Sequence, residues 1–255
     1  MDSPLLLNTR NLSKDFGGVR ALRDLDLDVK EGLIQAVIGP NGAGKTTLFN
    51  VISGVIAPSG GKVFFRGVEI TDLPTHKIAQ KGLTRTFQNL QLFADMTVLE
   101  NVMVGMHCRS KGGFFASALK TPWVMAEERR VRDESMEWLR FVGMEKHSAT
   151  VAGSLPFGSQ RILELARGLA SNPELLMLDE PAAGLNSRET GDLARLIIRI
   201  KESGVSVLLV EHDMELVMSV SDYVTVIDQG HKIAEGDPET VRSDEKVLKA
   251  YLGEE

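Results

Sequence analysis

One glycine-rich stretch constrains the fold of this chain more than any other feature. Residues 39–46 read Gly-Pro-Asn-Gly-Ala-Gly-Lys-Thr and fit the pattern G-x-x-x-x-G-K-[ST]. The apolar run 34–38 before this stretch has the length of a buried strand, and residues 45–53 after it have a helical pattern that ends at Gly54. Glycines allow a backbone to curl around an anion, and the N–H groups at a helix N-terminus point at it. The sequence therefore predicts a loop that binds phosphate.

The residues of this loop are candidates for nucleotide binding. We expect the Lys45 ammonium to lie near the β- and γ-phosphates and the Thr46 hydroxyl to ligate Mg²⁺. A glycine-rich turn without a ligand is the alternative, and the strand and helix on either side argue against it. The predicted nucleotide-binding residues of the loop are Gly39, Pro40, Asn41, Gly42, Ala43, Gly44, Lys45, Thr46 and Thr47.

Two carboxylates follow a second apolar run. Residues 175–178 read Leu-Leu-Met-Leu, and Asp179 and Glu180 come directly after them. An ionised carboxylate at the end of a buried strand needs a partner, and a Mg²⁺ held by Thr46 would supply one. We therefore expect Asp179 to bind the metal through water and Glu180 to polarise an attacking water as general base. The alternative is an ordinary strand end with solvated acids, which the phosphate loop upstream disfavours.

The order of the other patterns predicts an α/β fold. Apolar runs at 205–210 and 223–227 alternate with helical patterns. Such alternation predicts a largely parallel sheet with helices on both faces. A capping box at Thr97 predicts the start of a helix in a mostly helical insertion. We predict one domain over 1–255, with a core subdomain at about 1–88 and 165–236, a helical subdomain at about 89–164 and short helices at about 237–255.

Composition narrows the classes of partner. The net charge is −6 and aromatic residues make up 5% of the chain, so neither the basic surface nor the stacking residues of a nucleic-acid-binding protein are evident. No apolar run approaches the roughly 20 residues of a membrane-spanning helix. The N-terminus lacks the pattern of a signal peptide, and a single cysteine suits a reducing compartment. These features predict a cytosolic globular protein that does not bind nucleic acid.

With these motifs, the sequence resembles the ATP-binding-cassette (ABC) ATPases over essentially its whole length. Gln88 stands at the position of the family's glutamine loop, and His212 stands at that of its switch histidine. Phe16, with Val19 nearby, matches the aromatic residue that stacks on adenine. The resemblance implies a P-loop NTPase core with a mostly parallel sheet flanked by helices, antiparallel N-terminal strands and a helical subdomain insertion. It also implies ATP and Mg²⁺ as cofactors.

The resemblance assigns roles to these residues. The implied catalytic residues are Glu180, His212 and Lys45, with His212 at the γ-phosphate. The implied metal-binding residues are Thr46, Gln88 and Asp179. The implied nucleotide-binding residues outside the loop are Phe16 and Val19.

The signature segment of the family departs from its common form in this chain. The resemblance implies that this segment acts on the ATP held by a partner ATPase, and the usual sequence is Leu-Ser-Gly-Gly-Gln. The residues at this position are Leu155, Pro156, Phe157, Gly158 and Ser159, followed by Gln160. Pro156 favours a helix start but lacks the serine hydroxyl, so we expect anion binding there to be weakened rather than abolished. Asn186 similarly stands where the family usually has aspartate.

Several stretches are similar to the longer ATPase subunit of bacterial branched-chain amino-acid importers. They are 16–18, 85–93, 97–102, 180–186 and 250–254. The resemblance implies an assembly with a shorter paralogous ATPase or a second copy of this chain, two membrane permease subunits and an external binding protein. The chain would then lie at the cytoplasmic face of the bacterial inner membrane. Urea, amide or aromatic-acid importers are alternatives, because their ATPases are much like this one.

Two other classes of protein fit the sequence less well than a transporter ATPase does. A soluble cassette ATPase of DNA repair or translation would carry a coiled-coil insertion or a second cassette, and this chain has neither. A non-catalytic nucleotide-gated module would lack the base, whereas Glu180 is present.

The stretch 107–122 has three basic and no acidic residues, a local charge of +3. It is interpreted either as a surface loop packed on the helical subdomain or as a contact with the permease or an anionic membrane face.

Overall fold

The structure is a computed structural model that describes residues 4–86, 88–109 and 122–252. These residues form ten strands and nine α-helices. The strands are β1 (Leu5–Phe16), β2 (Val19–Lys30), β3 (Ile34–Ile38), β4 (Gly60–Phe65), β5 (Val68–Glu69), β6 (Leu83–Arg85), β7 (Leu175–Asp179), β8 (Ser206–Val210), β9 (Tyr223–Asp228) and β10 (His231–Gly236). The helices are α1 (Lys45–Ile52), α2 (Thr75–Gln80), α3 (Val98–Gly105), α4 (Pro122–Val142), α5 (Phe157–Ala170), α6 (Ser187–Glu202), α7 (Met214–Val220), α8 (Pro238–Arg242) and α9 (Glu245–Leu252).

The larger sheet has six strands in the order β10-β9-β3-β8-β7-β6. Its strands run parallel except for β10, which pairs antiparallel with β9 at one edge. Every residue of β3, β7 and β8 is buried, which explains why these strands are continuous apolar runs rather than alternating patterns. Because parallel strands end at the same edge of a sheet, the segments that follow β3, β6, β7 and β8 meet there.

The smaller sheet is antiparallel, with the order β2-β1-β4-β5. Leu25, Leu27 and Val29 of β2 are buried, while the residues between them are exposed, as their alternation predicts. Helix α1 lies between the two sheets, because its Phe49 falls in one apolar cluster with residues of β2 and with Val37 of β3. The predicted combination of a mostly parallel sheet and antiparallel N-terminal strands is confirmed.

Helices α3, α4 and α5 enclose a separate apolar cluster. The predicted capping box is present at the start of α3, where Thr97 Oγ1 accepts from the Glu100 N–H at 3.2 Å and the Thr97 N–H donates to Glu100 Oε2 at 2.8 Å. Helix α5 joins this cluster to the larger sheet: Leu163 packs in the helical cluster, whereas Leu165 and Leu169 pack with β7 and α6. The subdomain boundary predicted at 164 therefore falls inside one continuous helix, and the division itself stays a prediction.

The expected helical insertion and the short helices α8 and α9 are present. Helix α4, with 21 residues, is the longest helix of the described insertion. Of the basic stretch 107–122, residues 110–121 lie outside the described residues. Within the described ranges, no helix combines the length and the apolar character that crossing a membrane requires.

Candidate functional site

The glycine-rich loop connects the end of β3 to the start of α1, as its motif predicts. Gly39 has φ 154° and Gly44 has φ 106°. A Cβ atom at Gly39 would lie 1.9 Å from the carbonyl oxygen of Ile227, and one at Gly44 would lie 2.6 Å from that of Ala21. Only glycine fits at these two positions, because the backbone of neighbouring strands approaches the loop too closely for a side chain.

The N-terminus of α1 has no side-chain cap. Helices α3, α6, α7 and α8 each have one, from a threonine, asparagine or aspartate side chain. The first N–H groups of a helix lack partners within the helix and carry its positive dipole end. In the other four helices a side chain binds such N–H groups. At α1 an anion in the loop would bind them instead.

Lys45 is buried at the base of the loop, with 7% of its surface exposed. Its Nζ donates to the Gly39 carbonyl at 2.6 Å and to the Pro40 carbonyl at 2.9 Å. Burial lowers the pKa of the Lys45 ammonium below its ordinary value, and the negative charge of Glu180 opposes that shift. These two carbonyls thus hold the Lys45 ammonium against the predicted phosphate-binding loop.

A cavity of about 200 Å³ lies in front of the loop. Its lining residues are Ala21, Asn41, Gly42, Ala43, Gly44, Lys45, Thr46, Thr47 and Glu180. The cavity thus brings most of the predicted phosphate loop together with the predicted general base. Gly39 and Pro40 contribute instead through their carbonyls, which bind Lys45.

The acidic pair follows β7, which lies two strands from β3 in the sheet. Asp179 is buried as the last residue of β7, and the next residue, Glu180, has a left-handed φ of 48°. A positive φ at a non-glycine residue is uncommon and is a form of strain found at functional sites. The Glu180 N–H still bonds the Val210 carbonyl at 2.9 Å, so the turn is fixed by the neighbouring strand β8.

The partner of Asp179 in this structure is Arg85, which the sequence analysis did not single out. Arg85 Nη2 lies 2.6 Å from Asp179 Oδ2, and the two side chains are 5% and 2% exposed. An arginine therefore already balances this buried carboxylate, and the binding of a metal by Asp179 stays a prediction. Arg85 ends β6, which runs parallel to β7 in a register that places Arg85 opposite Met177. The pairing of β6 with β7 brings the two charges together, and no local pattern of the sequence indicates that pairing.

Gln88 lies beside the other carboxylate of the pair. Its Nε2 donates to Glu180 Oε2 at 2.8 Å, and its backbone carbonyl accepts from Arg161 Nη2 of α5 at 2.7 Å. The end of β6 and the loop after it therefore contact both members of the acidic pair, through Arg85 and Gln88. The structure thus brings Gln88 to Glu180, and its role in binding metal stays a prediction.

His212 lies two residues after the end of β8, near Glu180. Its Nδ1 lies 3.9 Å from Glu180 Oε2 and 3.8 Å from Glu211 Oε2, and its side chain is 60% exposed. The neighbouring Glu211, which the sequence analysis also missed, is fully buried. Burial raises the pKa of Glu211, and hydrogen bonds from the N–H groups of Ala182, His212 and Asp213 oppose that rise. Glu211 thereby fixes the backbone that carries His212 against the loop after the acidic pair.

Phe16 and Val19 lie outside the phosphate cavity. They flank the turn between β1 and β2 and are 49% and 67% exposed. The Phe16 ring has the Lys14 ammonium 5.1 Å from its centroid. Ala21, two residues beyond Val19, lines the cavity, so this hairpin borders the loop without closing over it. The adenine-stacking role of Phe16 stays a prediction.

The signature segment forms the start of α5, with Pro156 at the N-cap and no side-chain cap. The Phe157 ring is 45% exposed, and the Arg161 guanidinium lies 5.3 Å from its centroid. Gly158 is buried, and Gln160 Nε2 donates to the Leu155 carbonyl at 2.9 Å. None of the described lining residues of the phosphate cavity comes from 155–160. This chain's signature segment therefore does not take part in its own phosphate site.

Asn186 caps helix α6 with a capping box. Its Oδ1 accepts from the N–H groups of Arg188 and Glu189, both at 3.1 Å, and Glu189 Oε2 accepts from the Asn186 N–H at 3.0 Å. Asparagine and aspartate are comparable N-cap residues. The replacement of the usual aspartate by Asn186 therefore preserves the local structure of this loop.

Comparison with protein families agrees with this geometry. The family described as "ABC transporter" matches residues 22–183, which is more than half of the chain. The chain belongs to the ABC transporter family. Within this family it is an ATP-binding subunit, whose ATPase activity is coupled to transport. A second family, described as "Branched-chain amino acid ATP-binding cassette transporter", matches residues 231–255 of this ABC protein.

Two curated relatives match the ABC chain over nearly their whole length, and both are named as ATP-binding proteins of branched-chain amino acid transport. The high-affinity branched-chain amino acid transport ATP-binding protein BraF of Pseudomonas aeruginosa is 47% identical over 98% of this chain and 98% of its own length. The high-affinity branched-chain amino acid transport ATP-binding protein LivG of Escherichia coli (strain K12) is 43% identical over 100% of both chains.

Solved ABC structures share the fold. A nucleotide-free ATP-binding cassette from an ABC transporter superposes with a TM-score of 0.85 at 32% identity and covers 98% of this chain and 100% of that one. The ADP conformation of an ATP-binding cassette of an ABC transporter gives a TM-score of 0.86 at 33% identity, over 99% of this chain and 100% of that one. These matches confirm the predicted ABC-type α/β fold.

Proposed function

We propose that this chain is the Mg²⁺-dependent ATP-hydrolysing subunit of an importer of branched-chain amino acids. The observation that carries the ATPase part is the cavity in which the phosphate loop and Glu180 face each other. The cargo part is supported by the names of the full-length relatives and by the family that matches residues 231–255.

The donor set at the acidic pair fits a magnesium ion. Mg²⁺ prefers oxygen ligands and is held by few protein groups together with substrate phosphates. Thr46 would hold it through its hydroxyl, Asp179 through its carboxylate and Gln88 through its amide oxygen. When bound, the ion neutralises charge on the β- and γ-phosphates. The contact of Gln88 with Glu180 and the placement of Asp179 one residue away support a shared site.

Hydrolysis would use Glu180 and Lys45, which line the cavity, together with the nearby His212. Glu180 accepts a proton from the water that attacks the γ-phosphate, a role that typically contributes about 10²–10⁴-fold. Lys45 stabilises negative charge on the transferring phosphoryl group, because its ammonium is fixed at the base of the loop. His212, whose Nδ1 lies 3.9 Å from Glu180 Oε2, would contact the same phosphoryl group. Phe16, with Val19 nearby, stacks on the adenine.

The signature segment would complete the site of a second ATPase subunit. The uncapped N-terminus of α5 leaves N–H groups for an anion outside this chain. The exposed Phe157 ring would then lie in the interface between two ATPase subunits. The second subunit is a shorter paralogue or another copy of this chain. Two membrane permease subunits and an external binding protein complete the assembly, at the cytoplasmic face of the inner membrane.

Transport in a reconstituted complex tests the proposal. The chain is co-expressed with the permease, paralogous ATPase and binding-protein genes that neighbour its own, and the complex is placed in liposomes that contain Mg·ATP. We expect ATP-dependent uptake of labelled leucine, isoleucine or valine, and no uptake with Glu180→Gln. Uptake of urea, an amide or an aromatic acid instead would overturn the cargo, and hydrolysis unaffected by Glu180→Gln would overturn the base assignment.

A further inference from the structure

Arg85 contacts two elements of the site besides its own strand. Its Nη2 meets Asp179 Oδ2 of β7 at 2.6 Å. Its Nη1 donates to Asn50 Oδ1 at 2.8 Å and to Ser53 Oγ at 2.9 Å, at the C-terminal end of α1. One guanidinium thus ties the end of β7 to the helix that begins at the phosphate loop.

The surroundings of Arg85 fix its orientation. Ser53 Oγ donates to the Phe49 carbonyl at 2.7 Å, so the Ser53 oxygen is turned to accept from the guanidinium. The Phe49 ring lies beneath the guanidinium, with its centroid 5.6 Å from Arg85 Cζ. A planar guanidinium that is bonded and stacked in this way has little rotational freedom.

Burial makes the ion pair between Arg85 and Asp179 hard to replace. The two side chains are 5% and 2% exposed, so water does not compensate either charge if the other is lost. Removing one partner of a buried pair leaves an uncompensated charge, whereas removing both does not. The carboxylate of Asp179 is therefore held in place by Arg85.

The three segments joined at Arg85 are those that carry the three proposed metal-binding residues. Thr46 is the second residue of α1, the helix whose far end binds Arg85. Gln88 lies three residues after Arg85, and Asp179 binds it directly. We propose that Arg85 is a positioning residue of the magnesium site, setting the Asp179 carboxylate relative to Thr46 and Gln88. This inference rests on the proposed function.

An exposed ion pair elsewhere in the molecule serves as a control for the buried ion pair. Arg10 Nη1 lies 2.6 Å from Asp28 Oδ1, the same distance as in the buried pair, but these side chains are 41% and 51% exposed. Arg10 lies on β1, outside the site. Arg10→Met therefore removes an equivalent contact without touching the proposed metal-binding residues.

The test measures how much Mg²⁺ strengthens nucleotide binding. The affinity of the full chain for a non-hydrolysable ATP analogue is determined in Mg²⁺ and in EDTA. The ratio of the affinity in Mg²⁺ to the affinity in EDTA is called the magnesium gain. We expect Arg85→Met to lower this gain by about 10–100-fold, as for other residues that orient a metal ligand, while affinity in EDTA stays within about twofold. Arg10→Met should keep the full gain.

Asp179→Asn separates this inference from the proposed function. If Arg85 acts through Asp179, Asp179→Asn lowers the magnesium gain and adding Arg85→Met lowers it no further. A folded Arg85→Met variant with the full gain overturns the positioning role. If Asp179→Asn also keeps the full gain, the magnesium assignment itself fails.

Two further variants keep the test decisive if Arg85→Met does not fold. Arg85→Lys keeps the charge but loses the planar fork, so it should fold and lose most of the magnesium gain. Arg85→Met combined with Asp179→Asn removes both charges and should unfold at a higher temperature than Arg85→Met alone. Full magnesium gain in Arg85→Lys, or a double variant no more stable than the single one, contradicts the inference.

Discussion

Helices α1 and α5 both begin without a side-chain cap, and their surroundings differ. The N-terminus of α1 follows glycines that neighbouring backbone encloses, and its Lys45 and the nearby Glu180 line one cavity. The N-terminus of α5 follows Pro156 and presents the exposed Phe157, with no described residue of that segment in the cavity. The start of α1 lines the chain's own phosphate cavity, whereas none of the described cavity-lining residues comes from the start of α5.

Under the proposed function, α1 belongs to the nucleotide site within this chain, and α5 belongs to the contact with a second subunit. Changes at α1 should alter the chain's own nucleotide site, whether or not a second subunit is present. Changes at α5 should leave that site intact and alter only the assembled ATPase pair. The following substitutions test this division.

Lys45→Ala should have the largest effect of these substitutions at α1. Removing one preorganised donor from a reacting group typically costs about 10²–10³-fold in turnover. We expect a loss of that size in Mg·ATP hydrolysis, measured as phosphate release from the reconstituted complex. The thermal unfolding temperature should change little, since the side chain's hydrogen bonds within the described residues go to two loop carbonyls. Wild-type turnover would remove Lys45 from the mechanism.

Gly39→Ala tests whether the enclosure of the loop matters. A Cβ atom there would lie 1.9 Å from the Ile227 carbonyl oxygen, so the loop must shift. Gly32 is a suitable control, because it also has a positive φ, 76°, but a Cβ atom at it meets nothing within 4 Å. Gly32→Ala should cost about 1–2 kcal/mol in the free energy of unfolding. We expect Gly39→Ala to cost more and also to weaken nucleotide binding, as measured by denaturant titration and ATP affinity.

Pro156→Ser should have the smallest effect on the isolated chain. A serine N-cap typically contributes about 1 kcal/mol, so the free energy of unfolding should rise by no more than that. The affinity of the isolated chain for ATP should stay within about twofold, because α5 does not line the cavity. A clear change in that affinity would break the division between α1 and α5.

The phosphate loop was predictable because its signal is local. Gly39 to Thr46, the strand before it and the helix after it are contiguous, and the motif states its own context. The acidic pair was predictable for a similar reason, since an apolar run ends in Asp179 and Glu180. The capping boxes at Thr97 and Asn186 also follow from residues three positions apart.

The contacts around the acidic pair were not predictable from local patterns. Arg85 and Asp179 are separated by 94 positions, and their pairing depends on which strands become neighbours. Likewise, Glu211 bonds the Ala182 N–H across 29 positions, through a loop whose path no local signal sets. Strand order is a property of the whole fold, so residues that act across it become visible only in the structure.

ATP hydrolysis by Glu180→Gln tests the central claim most directly, namely that this chain carries its own general base. Phosphate release is measured in the reconstituted complex, with the exposed Glu202→Gln at the end of α6 as control. The account predicts turnover about 10²–10⁴-fold below wild type with ATP affinity retained, and wild-type turnover in the control. Wild-type turnover in Glu180→Gln would contradict it.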